Sequence, residues 1–158
     1  MSAVRVESTH SGHRLVALSS FNRGDIVLVL NGVECSSPNR FTIQIGPNLH
    51  LAPENQSDGL GKDNNCMWMF TNHSCSPNTV IRDRTLTALF EINPGDEITF
   101  DYETTEFEMA EPFECCCGSP GCRGTIRGYR YMNSDRHTEI ELQSAACLSG
   151  RKPDSESF

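Results

Sequence analysis

Residues 72–78 read Asn-His-Ser-Cys-Ser-Pro-Asn, residues 95–102 read Gly-Asp-Glu-Ile-Thr-Phe-Asp-Tyr, and residues 114–124 read Glu-Cys-Cys-Cys-Gly-Ser-Pro-Gly-Cys-Arg-Gly. Taken singly, each has a plain reading. The first is dense in Asn, Ser and Pro and would be a turn, although His73 and Cys75 could also form a nucleophile pair or half of a metal site. The second is a Gly-led turn followed by an edge strand ending on a tyrosine. The third brings Cys115, Cys117 and Cys122 together, with Gly118, Pro120 and Gly121 allowing a tight reversal. Three thiolates so spaced can wrap one ion. Zinc closes its tetrahedron with four ligands, at ~2.3 Å from sulfur, so the fourth must come from elsewhere. Cys116 would point away from the ion. Buried or redox-active thiols are the competing reading.

The rest of the chain sets the frame for these segments. At 158 residues it fits one domain with a small appendage. The longest unbroken apolar runs, such as Ile26–Leu30, are five residues, against about 20 for a membrane span. The opening residues, MSAVRVESTHSGHR, hold no apolar stretch of a secretory signal, which predicts an intracellular chain. Eight cysteines in such a chain point to metal before disulfides. Net charge is −8, and it is lopsided. Residues 1–79 carry five basic and six acidic side chains, residues 80–158 eight and fifteen. Direct nucleic-acid binding, which needs a basic face, is therefore not expected. A basic ligand suits the charge.

Short strands dominate the pattern. Leu15–Ser19 and Asp25–Leu30 are separated by the turn Asn22-Arg23-Gly24. Residues 40–46 alternate, placing Phe41, Ile43 and Ile45 on one face. Thr79–Arg82 and Thr85–Ile92 flank Asp83-Arg84 as a hairpin, and Glu97–Asp101 follows the turn Asn93-Pro94-Gly95. Residues 65–70 have room for a turn or two of helix, and residues 53–65 form a polar loop. The order implies a mainly β body. Residues 134–148 are ambiguous. If helical, Ile140, Leu142, Ala145, Ala146 and Leu148 would make an apolar stripe through which two copies could pair. From Arg151 the composition is that of a disordered tail.

Together and in this order, the three opening segments resemble the SET-domain protein-lysine methyltransferases that carry a post-SET zinc segment. Gly12-His13-Arg14-Leu15-Val16-Ala17 resembles the family's opening G-x-G, and the resemblance runs over roughly residues 5–132. It implies a SET domain over 1–107, a post-SET segment over 108–132 and a C-terminal extension over 133–158. The implied fold is mainly β, of the β-clip type, with a knot-like crossing.

The resemblance also implies an activity and a site. S-adenosylmethionine would be the methyl donor, met by the backbone of Gly12, His13 and Arg14 and by Phe70, Asn72 and His73. Tyr102 would be the catalytic tyrosine at the border of donor and lysine channel. Phe100 would set how many methyl groups are added. Cys75 would be the fourth ligand of a zinc held by Cys115, Cys117 and Cys122, leaving Cys35, Cys66, Cys116 and Cys147 out. The implied partner is a basic, lysine-containing peptide such as a histone tail, and the implied location is nuclear or chromosomal. Eight carboxylates between Asp96 and Glu114, with no basic residue among them, read as a solvated face or as a rim attracting that peptide. Arg14 stands where the family's second glycine is usual, Met69 where an arginine is common, and Leu30 near a usual tyrosine. These three residues favour a second reading, a zinc-stabilised module that binds peptides without catalysis.

Overall fold

In the β1–β2 ribbon, Val4–Thr9 (β1) pairs antiparallel with Gly12–Ala17 (β2), and Glu7 sits directly opposite Arg14. A computed structural model describes residues 2–54 and 64–148 of the chain. The ribbon turns at Gly12, whose φ of 137° suits glycine alone. Leu15, Val16 and Ala17 are buried as a run. The sequence predicts the second strand only. In VRVEST just Val4 and Val6 are aliphatic, so β1 carries little apolar signal of its own and is held by its partner.

Ile26–Val29 (β3) and Val33–Cys35 (β4) follow, then Ile43–Gly46 (β5) and Leu49–Ala52 (β6). β4, β6 and β5 form one antiparallel sheet. The expected common face of Phe41, Ile43 and Ile45 does not hold. Asn39 and Thr42 close a turn through reciprocal bonds of 3.0 and 3.1 Å, which leaves Phe41 exposed while Ile43 is buried.

The helical turns expected near residue 65 are 3-10 in geometry, Asn64–Phe70, and bury Trp68, whose indole N–H donates to Asn31 O at 2.8 Å. Next come Asn72–His73 (β7), Thr79–Arg82 (β8) and Thr85–Ala88 (β9). The β8–β9 hairpin turns through Asp83 and Arg84, both at positive φ (43° and 60°), the geometry that matches strand twist. β3, β9 and β8 form the second three-stranded sheet. The second strand of this hairpin ends at Ala88, short of the expected Ile92, although Ile92 still bridges to Phe21.

The expected strand over Glu97–Asp101 narrows to Thr99–Phe100 (β10), one of the two strands of a small sheet. It runs parallel to β7, with Thr99 beside Asn72 and Phe100 beside His73. Asn78 extends the pairing with its side chain, donating to Glu97 O at 2.8 Å and accepting from Thr99 N–H at 2.9 Å. Phe113–Glu114 (β11) and Thr125–Ile126 (β12) pair antiparallel around the cysteine segment.

The ambiguous residues form a helix, Ser134–Leu148 (α1). Of the expected stripe, Ile140 and Leu142 do not share a face, and the side chains of Ala145, Ala146 and Leu148 lie outside those described. Ile140 is buried and Leu142 is 63% exposed, as two residues roughly opposite on a helix must differ. The expected tail from Arg151 and most of the polar loop lie outside the described residues. Among the described residues no helix is long and apolar enough to cross a membrane. The core joins Leu15, Leu30, Leu51, Trp68, Leu86, Ile98 and Phe100, so β10 is rooted in it through Phe100.

Candidate functional site

The parallel pairing of β7 and β10 puts the first two sequence segments side by side. Tyr102 follows β10 directly, in a single 3-10 turn, Tyr102–Thr104, capped by Asp101. Its backbone N–H donates to His73 Nδ1 at 3.2 Å, and its phenol donates to Thr71 O at 2.9 Å. Both ends of the residue are thus tied to β7 or to Thr71 just before it. The Phe100 ring lies 4.8 Å from that of Tyr102, His73 5.3 Å and Phe113 5.9 Å. Burial first, then the Glu106 carboxylate, pushes the Tyr102 phenol up to about 12. It therefore keeps its proton at neutral pH and serves as a hydrogen-bonding group rather than a ready base.

His73 is held as the neutral ring. Burial, the largest influence, pushes its pKa below the ordinary value, against the nearby Asp101 carboxylate at 3.6 Å. Accepting at Nδ1 leaves the proton on Nε2, which faces Cys75 Sγ at 3.3 Å. Asn72 divides its amide between His13 O at 3.0 Å and Glu97 Oε1 at 2.9 Å. The rings of His13 and Phe70 meet at 5.3 Å. His13, Phe70, Asn72 and His73 are therefore one neighbourhood, as expected. The hydroxyl of Thr71, buried and without a partner among the described residues, adjoins it.

Gly12 lies at the ribbon's end, where nothing stands within 4 Å of a would-be side chain. Arg14 is drawn off by Glu7, to which it donates at 2.8 and 3.1 Å. Strand alternation sends it to the ribbon face opposite Leu15. Leu30 is a core residue and Met69 packs against that core.

The Sγ atoms of Cys75, Cys115, Cys117 and Cys122 all lie within 4.8 Å of one another, and those of Cys75 and Cys115 are 3.9 Å apart. Tetrahedral thiolates around zinc sit ~3.8 Å apart, given ~2.3 Å bonds, so the set fits that ion. Cys35, Cys66 and Cys116 stand outside the cluster; the Cys147 side chain is not among those described. Backbone hydrogen bonds from Cys75 and Ser119 pull the Cys117 thiol down to about 6, while burial pushes the Cys75 and Cys115 thiols up, so Cys117 ionises before those two. Arg123 N–H also donates to Cys75 Sγ at 3.4 Å.

The acidic segment behaves differently from either sequence reading. Asp101, Glu103 and Glu106 are buried, so the solvated face or peptide rim loses three of its eight members. Arg123 reaches Asp101 Oδ1 at 2.6 Å and Glu103 Oε2 at 2.8 Å, and Arg136 reaches Asp101 Oδ2 at 2.8 Å. Glu103 Oε1 further accepts from Arg127 and Gly128 N–H. Glu108 pairs with Arg130 and Tyr131. Buried charge persists only when paired in this way. Asp101, Glu103, Arg123, Arg136 and Phe113 are the site residues the sequence reading missed. Arg123 and Arg136 lie 22 and 35 positions from Asp101, and no local pattern links them.

Residues 12–103 match the SET domain family. The chain belongs to that family. It is 37% identical over 103 residues to Methyltransferase flvH of Aspergillus flavus, covering 59% of this chain and 48% of that protein. It is 34% identical over 111 residues to Histone-lysine N-methyltransferase ash1 of Drosophila melanogaster, covering 65% and 5%. Among solved structures, KRYPTONITE in complex with mCHG DNA and SAH superposes with a TM-score of 0.57 at 22% identity, covering 75% of this chain and 27% of that one. The mainly β, SET-like fold expected from the sequence is thus found. The chain spans about half, or much less, of the length of these relatives.

Proposed function

We propose that this chain is an S-adenosylmethionine-dependent protein-lysine N-methyltransferase that acts on a histone tail in the nucleus. The observation that carries the reading is Tyr102. Its phenol is fixed by Thr71 O, its backbone by His73, and its ring stands among Phe100, His73 and Phe113. The relatives' names, methyltransferase and histone-lysine N-methyltransferase, support the substrate class.

In the reaction the neutral lysine amine attacks the donor's sulfonium methyl. The new N–C bond forms as the C–S bond breaks, its electron pair goes to sulfur, and the amine's surplus proton leaves to solvent. A lysine is mostly protonated at neutral pH, with a pKa of ~10.4. A dry aromatic site beside a sulfonium lowers that value by desolvation and like-charge repulsion. Tyr102, protonated and held at both ends, orients the amine and methyl in line. Alignment of this kind supplies most of the acceleration. The Gly12–Arg14 backbone, Phe70, Asn72 and His73 hold the donor. Zinc on Cys75, Cys115, Cys117 and Cys122 would supply a structural link. Those four residues tie segment 108–132 to β7, and with it Phe113 becomes a wall of the site. Phe100, lacking a hydroxyl, anchors no water beside the amine, so the enzyme proceeds to di- or trimethyl-lysine. In this reading residues 1–107 are the catalytic domain and 133–158 an extension.

A lysine-peptide array with labelled donor tests the proposal. Label on basic, histone-like peptides is expected. Donor binding by calorimetry with no label on any peptide would favour the non-catalytic peptide-binding module.

A further inference from the structure

The α1 helix lies beyond residues 12–103, the span that matches the SET domain family, yet one of its side chains enters the site's interior. Arg136 Nη2 donates to Asp101 Oδ2 at 2.8 Å, while Arg123 holds the other oxygen of the same carboxylate at 2.6 Å. Asp101 is 1% exposed. Its Oδ1 also accepts from Glu103 N–H at 3.2 Å and so caps the turn Tyr102–Thr104. The two guanidiniums fix the rotation of the carboxylate, the carboxylate fixes the turn, and the turn sets Tyr102.

The arginine is itself deliberately lodged. Asn133 Oδ1 accepts its backbone N–H at 2.9 Å, and Glu139 takes its second terminal nitrogen at 2.7 Å. His137 next to it stacks on the Tyr129 ring at 4.2 Å and bonds Tyr129 O at 2.7 Å, which docks the helix independently of Asp101. Arg136 Nε is buried with no partner among the described residues. An arginine serving only the surface would avoid that cost.

We propose that Arg136 is a positioning residue for Tyr102, acting through Asp101, so that α1 is part of the working active site. This rests on the reading of Tyr102 given above. Without Arg136, Oδ2 of a buried carboxylate loses its counter-charge, the cap loosens, and the phenol moves off line. Arg136 itself hydrogen-bonds neither Asn72 nor any of the four clustered cysteines.

The test is steady-state kinetics on the full chain with Arg136→Ala, Arg136→Lys, His137→Ala and Tyr102→Phe in parallel, with zinc content and melting temperature recorded. Misplacement on this scale costs ~10- to 100-fold in kcat. That loss is expected for Arg136→Ala with donor KM within about twofold, zinc retained, and partial recovery in Arg136→Lys. His137→Ala, which loosens the helix but spares Asp101, should lose stability more than kcat. Wild-type kcat in Arg136→Ala, or a loss matched by His137→Ala, would overturn the proposal. Wild-type turnover in Tyr102→Phe would instead refute the reading of Tyr102 on which it rests.

Discussion

At the residue scale, Phe100 and His50 each carry a prediction, one about product and one about pH response. Phe100 is 3% exposed and packs on Tyr102. A hydroxyl at its ring edge would need a partner, and a water bridging to the lysine amine would provide one for ~1 kcal/mol. Phe100→Tyr should therefore shift products toward monomethyl-lysine, read by mass spectrometry at long times with excess donor. Only monomethyl product from the wild type would refute the assignment of Phe100.

His50 is buried, its Nδ1 has no partner among the described residues, and Glu106 Oε2 lies 3.9 Å from its Nε2. Burial lowers its pKa below 6.5. Below 6.5 the unfolded chain takes up the proton first, so the stability contributed by neutral His50 is present above that value and lost as pH falls. Burial raises the Glu106 pKa, a contribution of opposite slope. Urea midpoints of the wild type and His50→Gln, compared between neutral pH and roughly pH 5, should converge on acidification. Parallel curves would contradict this.

At the scale of elements, what could be read ahead depended on whether partners are local. The β8–β9 hairpin was legible because Asp83-Arg84 sits between two apolar runs. The meeting of β7 and β10 was not legible from residue pattern, because a two-residue parallel pair leaves no periodicity. The helix at 134–148 was not legible as a site element, for its contribution is one arginine whose partner is 35 positions away. The strand pair β11–β12 and the turn after it depend on Gly128. At φ 115° a Cβ there would meet Glu108 Cα at 2.7 Å and Phe107 O at 2.8 Å. Gly128→Ala should cost about 1–3 kcal/mol from backbone strain, plus the clash. Chemical denaturation checks this, and an unchanged midpoint would contradict the close approach of Gly128 to Phe107 and Glu108.

At the scale of the whole molecule, the C-terminal third is tied to β7 and the Tyr102–Thr104 turn region through three links. Cys75 joins Cys115, Cys117 and Cys122; Arg123 and Arg136 meet Asp101; and Glu103 accepts from Arg127 and Gly128. Cys115, Cys117 and Cys122 were visible in sequence because their spacing is a local signal, whereas Cys75, 40 positions from Cys115, came only through family resemblance. The ionic links were not, since buried carboxylates and solvated ones look alike in a string of residues. Removing metal with a chelator should raise amide exchange across residues 113–127 and abolish methyl transfer, and zinc should restore both. Protein purified without metal yet fully active would exclude the cluster from the account.

The central claim is that Tyr102 aligns a lysine amine with a bound methyl donor. Single-turnover methyl transfer to a histone-tail peptide, compared between wild type and Tyr102→Phe at matched donor occupancy, tests it most directly. The account predicts a loss of about a hundredfold in the transfer step with donor affinity unchanged. Equal transfer rates in the two proteins would contradict it.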